Sequence, residues 1–349
     1  MRNDSGFRRI ATEEAFATRE LFKAYRDLLA RNGSQDIGFN SLMGYYLNNP
    51  SDRTRAVSER LEDLGARRIA DMDATGIDVQ ILSLTSPGVQ IFDADTAAGL
   101  ARAANDELAA AIAAHPNRYA GLAAIAPQNP AGAAAELERG VRKLGLKGAI
   151  INSHTHGEYL DDPKFWDILA AAEALDVPIY LHPNTPSNDM IKPFMDRGLD
   201  GAVFGFAVET GLHALRLVVS GVFDRFPNLK FVLGHLGEGL PYWLFRIDFM
   251  HGNSVKSGRY ASQPKLKRKA SEYLRENFYY TTSGMAWTPP IRYVQTVMGM
   301  DRVMYAMDYP YQFVPEEVHV TDNLPVSYED LKAFYQTNAE RVFRLLSTR

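Results

Sequence analysis

Short apolar runs alternate with longer amphipathic stretches along the whole chain, which is the pattern of parallel strands joined by crossover helices. Eight runs read as strands. They are RIATEEA near residues 9–15, DVQILSLTSP from Asp78 to Pro87, YAGLAAIAP from Tyr119 to Pro127 and LKGAIINSH from Leu146 to His154. VPIYLHP follows from Val177 to Pro183, LKFVLGHLGE from Leu229 to Glu238, FYYTTSG from Phe278 to Gly284 and RVMYAMDYP from Arg302 to Pro310. The stretches between them, such as DTAAGLARAANDELAAAIAAH and DPKFWDILAAAEALD, space their apolar residues helically and end on Gly, Asn or Pro. Eight βα units predict an α/β fold, a (β/α)8 TIM barrel with loop insertions, as a single domain over residues 1–349. A doubly wound open sheet is the competing architecture, but no G-x-G-x-x-G follows the first strand. The region from Phe22 to Arg68 and the basic stretch SVKSGRYASQPKLKRKASEYLREN read as insertions on barrel loops.

Composition narrows the partners. With 349 residues, 46% of them apolar, the chain can bury a large core. A net charge of only -4, spread along the chain, gives no general attraction for nucleic acid or an anionic membrane, so a small molecule is the expected partner. The absence of cysteine removes disulfides, thiolate metal sites and cysteine nucleophiles together. Any metal would be held by His, Asp, Glu or water. The longest apolar runs, such as LAAAIAA, fall short of a membrane span, and MRNDSGFRR lacks the apolar core of a signal peptide. The expectation is a soluble, cytoplasmic protein.

The strand ends carry the candidate chemistry. Strand one ends in Glu13 and Glu14, where a buried strand would stay apolar. Strand two ends in Thr85, strand four in Asn152 and His154, strand five in His182, strand six in His235 with Glu238, and strand eight in Asp308. In a TIM barrel these carboxyl ends converge on one mouth, so residues scattered over the sequence become neighbours. A Glu, a His and an Asp from three strands make a hard oxygen and nitrogen set, suited to Mn²⁺ or Zn²⁺ with positions left open for a substrate. Glu13 is the candidate ligand on the first strand.

The segments ATEEAFATRE, LHPNTPSNDMI, FGFAVETGLHALRL, GHLGEGLPYWLFRIDFMH and VMYAMDYPYQ resemble the amidohydrolase superfamily, in its branch of metal-dependent non-oxidative decarboxylases. The resemblance covers nearly the whole chain. Hydrolases of the superfamily carry H-x-H on the first strand, whereas this chain has Glu13-Glu14-Ala15. The modified Lys of the two-metal hydrolases is also missing, since strand four ends in INSH and Lys147 lies at its start. The resemblance therefore implies one divalent metal per chain, Mn²⁺ ahead of Zn²⁺, held by Glu13, His182 and Asp308. It carries the family's second-site His onto His235 and its substrate-contacting arginines onto Arg53 and Arg246; Asp308 and His235 are the candidate catalytic residues, Asp308 as proton carrier, and Thr85, Phe206 and Tyr311 are further candidate substrate contacts. The implied reaction is loss of CO₂ from a hydroxylated aromatic carboxylate such as 5-carboxyvanillate, from lignin-derived aromatics, by a homodimer. The alternative is a metal-dependent hydrolase or hydratase using an ionised water.

Each residue has a plainer competing reading. Glu13 and Glu14 would be a solvated strand end, His182 a satisfied core histidine and Asp308 a turn cap. Arg246 would be an exposed charge or the ion-pair partner of Asp248 or Glu238. The H-x-H of His154 and His156 reads as loop polarity rather than a second metal site.

Overall fold

The computed structural model describes residues 5–31, 34–260 and 263–345. Strand β1 (Ile10–Phe16) pairs in parallel with β2 (Val79–Leu84), and β2 with β3 (Tyr119–Gly121). After Leu122 the third strand resumes as Ala123–Ala124, which pairs with β4 (Ala149–Asn152). Then β5 (Ile179–His182), β6 (Phe231–Leu233), β7 (Phe278–Thr281) and β8 (Val303–Met304) follow in sequence order, all parallel. The circle closes between the last strand and the first. Thr12 N–H donates to the Tyr305 carbonyl at 3.1 Å, and Ala15 N–H to the Tyr309 carbonyl at 2.7 Å. This is the expected TIM barrel, with strands shorter than the apolar runs that signalled them. All six residues of β2 are buried, as expected for parallel strands covered on both faces.

Between β1 and β2 lie four helices, α1 (Arg19–Ala30), α2 (Ile37–Asn48), α3 (Asp52–Leu61) and α4 (Ala66–Thr75). The first three start at capping side chains. Thr18, Asp36 and Ser51 accept from the backbone N–H of Leu21, Phe39 and Thr54, satisfying amides that the first turn leaves free. The insertion ends close to where the sequence suggested, since α4, which starts at Ala66, is the crossover helix that delivers the chain to β2. Arg68 on α4 is completely buried. Its guanidinium donates to the carbonyls of Ala15, Arg60 and Asp63 and to Gln80 Oε1, and lies over the Tyr309 ring at 4.6 Å. A buried charge persists there because its donors are used.

The remaining barrel helices are α5 (Ala94–Ala114), α6 (Pro130–Leu144), α7 (Trp166–Leu175), α8 (Gly205–Val219), α9 (Leu240–Ser257), α10 (Ala270–Glu276) and α11 (Thr288–Met298). The basic stretch is therefore not an insertion of its own. It covers the end of α9 and all of α10, the crossover from β6 to β7, with residues 261 and 262 outside the described residues. Helix α9 leaves Tyr242, Trp243, Phe245 and Phe249 exposed, Phe245 to 84%. Among the described residues, no helix is long and apolar enough to cross a membrane.

Candidate active site

Side chains alternate along β1, and Glu13 points into the barrel mouth with 2% of its surface exposed. A solvated strand end is thereby excluded. Its Oε2 accepts from three hydroxyls: Tyr180 of β5, Ser283 just beyond β7, and Thr281 of β7 at 3.3 Å. The fit is close, since a Cβ on Gly234 would fall 2.6 Å from the same oxygen. The other oxygen, Oε1, is buried with no hydrogen-bond partner and sits 3.3 Å from His182 Nε2. Burial alone would raise the Glu13 pKa, but His235 and His182 outweigh it and hold the carboxyl down at about 2.

His182 closes β5. Its Nδ1 lies 2.9 Å from the Pro183 carbonyl, which only accepts, so that nitrogen carries a hydrogen; burial disfavours the imidazolium, but Glu13 outweighs it and raises the His182 pKa, and in the neutral ring the Nε2 lone pair faces Glu13. A carbonyl that fixes the tautomer in this way is the usual companion of a metal-binding imidazole. Asp308 follows β8 with φ of 68°, a left-handed backbone that non-glycine residues seldom adopt. One donor atom from each of Glu13, His182 and Asp308 lies within 4.8 Å of the others.

Beside them stands His235, in a run of five left-handed residues from His235 to Gly239 just after β6. That backbone turns the strand end back so that His235 Nδ1 meets Glu238 Oε1 at 2.8 Å, while Nε2 lies 4.0 Å from Asp308 Oδ2. Burial disfavours the imidazolium, but the Glu238 and Glu13 carboxylates outweigh that cost and raise the His235 pKa well above its ordinary value. Among the protein's own groups, burial raises the Asp308 carboxyl, with His235 opposing.

The donor set fits a divalent ion. A buried carboxylate oxygen without a donor is costly unless a cation meets it, and here a second carboxylate and an imidazole lone pair converge on the same spot. A pocket opens above them. Its walls include Leu42 and Tyr46 from α2 and Phe206 from α8, together with Tyr311, His182, His235 and Asp308. The Tyr311 hydroxyl is 2.6 Å from Thr85 Oγ1, and its ring packs edge-on against Tyr46 at 5.3 Å.

The amidohydrolase family profile matches residues 22–345. The chain belongs to the amidohydrolase family. Solved structures similar to this amidohydrolase include 5-carboxyvanillate decarboxylase from Novosphingobium aromaticivorans, complexed with manganese and 4-hydroxy-3-methoxy-5-nitrobenzoic acid. The identity is 52% and the TM-score 0.96, over 98% of this chain and 97% of that one. The 5-carboxyvanillate decarboxylase of Sphingomonas paucimobilis is 42% identical with a TM-score of 0.92, over 98% of this chain and 100% of that one. Among curated proteins, gamma-resorcylate decarboxylase of Polaromonas sp. (strain JS666) is 39% identical over 294 residues, 82% of this chain and 89% of the relative. This amidohydrolase thus lies in the decarboxylase branch, whose members are carbon-carbon lyases.

Of the residues singled out in the sequence, Glu13, His182, His235 and Asp308 meet at the barrel mouth of this amidohydrolase. Phe206 and Tyr311 line the pocket, and Thr85 stands behind Tyr311. Arg53 on α3 is exposed and without an ion pair among the described residues, close enough to Tyr46 for its charge to oppose the rise that burial gives the Tyr46 phenol. Arg246 lies apart, exposed on α9 and paired with neither Asp248 nor Glu238. Both ring nitrogens of His154 are used locally, Nδ1 by Gly157 N–H and Nε2 by the Thr185 carbonyl. His154 is a loop staple. The sequence reading passed over the hydroxyls of Tyr180, Thr281 and Ser283 and the part played by Glu238. One signal was available: Tyr180 and His182, like Thr281 and Ser283, are two residues apart, so within a strand the first of each pair faces the same side as the second.

Proposed function

We propose that this amidohydrolase is a manganese-dependent, non-oxidative decarboxylase of hydroxylated aryl carboxylates, with 5-carboxyvanillate as substrate and vanillate and CO₂ as products. The observation that carries the reading is the bare Glu13 Oε1, buried beside the His182 lone pair under a narrow aromatic pocket. The 52% identity to a 5-carboxyvanillate decarboxylase supports the choice of substrate. The test is to incubate the manganese-loaded protein with 5-carboxyvanillate and with gamma-resorcylate, following CO₂ and the aromatic product. Turnover of neither would end the proposal, and a preference for gamma-resorcylate would overturn the substrate assignment alone.

The chemistry follows from the ring. Direct loss of CO₂ would leave an in-plane aryl carbanion that the π system cannot stabilise, so the carbon bearing the carboxylate is protonated first. An ortho phenolate donates the electrons for that step, and loss of CO₂ then restores aromaticity. Glu13, His182 and Asp308 would hold the metal, which supplies a Lewis acid that orients phenolate and carboxylate oxygens and lowers the phenol pKa. Asp308 takes the phenol proton as substrate enters and delivers it to the ring carbon. His235, oriented by Glu238, hydrogen-bonds Asp308 or the departing carboxylate. Leu42, Tyr46, Phe206 and Tyr311 pack the ring and exclude water.

A second carboxylate on the substrate needs a cation, and Arg53 is unpaired beside Tyr46. Arg53→Met is expected to raise KM for 5-carboxyvanillate by roughly 10- to 150-fold, the worth of a charged hydrogen bond, and to affect a monocarboxylated analogue far less. Equal losses on both substrates would make the arginine structural.

The enzyme acts as a homodimer in this proposal, joined through the aromatic face of α9. Contiguous exposed apolar surface of this kind marks a contact site. Arg246, on the same helix, would then serve substrate only where the partner subunit brings it to a pocket. Sedimentation should give twice the chain mass, and Phe245→Glu should give the monomer. A monomeric wild type would remove this part of the proposal.

A further inference from the structure

We infer that Glu14 is a positioning residue: its carboxyl group grips the peptide groups on both sides of Asp308 and so sets where the Asp308 side chain points. Neighbouring residues of a strand face opposite ways, so Glu14 cannot join Glu13 in the barrel mouth. It is fully buried nonetheless. Glu14 Oε1 accepts from Met307 N–H at 2.9 Å, and Oε2 from Tyr309 N–H at 3.2 Å. These two amides bracket Asp308 in the chain.

The seam between β8 and β1 explains why a side chain is needed. Regular strand geometry in β8 stops at Met304, and the two main-chain bonds of the seam, at Tyr305 and Tyr309, leave the segment between them to other partners. Along β1 the pairing with β2 shifts between Ala11 and Glu14, an irregularity of the kind that re-aims a side chain. Glu14 is thereby delivered to the Met307 amide, and to the Tyr309 amide at the point where β1 and the last strand meet in a single parallel bridge. A left-handed φ at a non-glycine residue persists only where the surroundings over-determine it, and anchors on both sides of Asp308 do that. Turning either peptide would swing the Asp308 oxygen away from Glu13 and His182. Two adjacent carboxylates thus divide the work, Glu13 inside the site and Glu14 behind it.

The inference rests on the proposed reading of Glu13, His182 and Asp308 as the metal's holders. Its test is Glu14→Gln, which keeps the size and one acceptor oxygen but turns an NH₂ toward the second amide. The expected result is an Mn²⁺ dissociation constant raised by about 10- to 100-fold, as for other groups that orient a ligand. The electron paramagnetic resonance spectrum of bound Mn²⁺ should change, and kcat should fall with KM little altered. Wild-type protein that fails to bind Mn²⁺ would refute the metal reading itself. Wild type and Glu14→Gln that bind equally, with the same spectrum, would refute only the role of Glu14. Should Glu14→Gln not fold, hydrogen exchange in the wild type decides. Slow exchange at the Met307 and Tyr309 amides supports the grip, and exchange as fast as an open loop overturns it.

Discussion

Asp308→Asn is expected to fold normally and keep metal at least in part, while turnover falls by more than the ~10²–10⁴-fold typical of a lost general acid or base. Asn adopts the left-handed conformation as readily as Asp, so the φ of 68° at this position is no obstacle to the substitution. Asn also retains one oxygen ligand. It cannot hold or hand over a proton, and its weaker coordination adds to the loss. Metal content and kcat, measured on the same preparation, separate the two effects. His235→Asn should leave metal content intact and lower the rate, because His235 stands outside the converging donor set. In D₂O the wild-type product should carry one deuterium at the carbon that lost CO₂. Asp308→Asn turning over near the wild-type rate with its metal in place would move the proton to another group, with His235 the next candidate.

Removing the metal should abolish activity, and adding Mn²⁺ back should restore it. Glu13→Gln should make that loss permanent at ordinary metal concentrations, since the barrel mouth loses its most buried charge while the side-chain volume is unchanged. The ion binds the folded chain only, so Mn²⁺ at about 100 times its dissociation constant should stabilise the wild type by about 2.7 kcal/mol. Thermal unfolding with and without Mn²⁺ reads this directly. The shift should vanish in Glu13→Gln. A metal-free preparation with full activity would end the mechanism.

The barrel was legible because each strand, buried on both faces, writes a largely apolar run, and because histidines and acidic residues gather near the carboxyl ends of those runs. Glu13, His182, His235 and Asp308 stood out as such residues. The three hydroxyls around Glu13 did not, since Tyr180, Thr281 and Ser283 are common strand and strand-end residues whose shared target exists only once β1, β5 and β7 face one another across the closed barrel. The pocket wall from α2 was equally hidden. Leu42 and Tyr46 belong to an inserted segment, and no periodicity in the segment tells where it will dock. Arg246 shows a different limit, because a helix position can be read from spacing whereas what that position faces cannot.

The three donors come from residue 13, residue 182 and residue 308 of a chain of 349. During synthesis the amino-terminal strand waits with its carboxylate ready through nearly the whole of translation, and the site does not exist until the final strand has docked beside it. A polypeptide cut short before Asp308 keeps most of the barrel's sequence but cannot gather the ion. Occupancy by metal is therefore a mark of chains made to the end and closed correctly, and truncated or misassembled copies go without the stabilisation that would shield them from proteolysis.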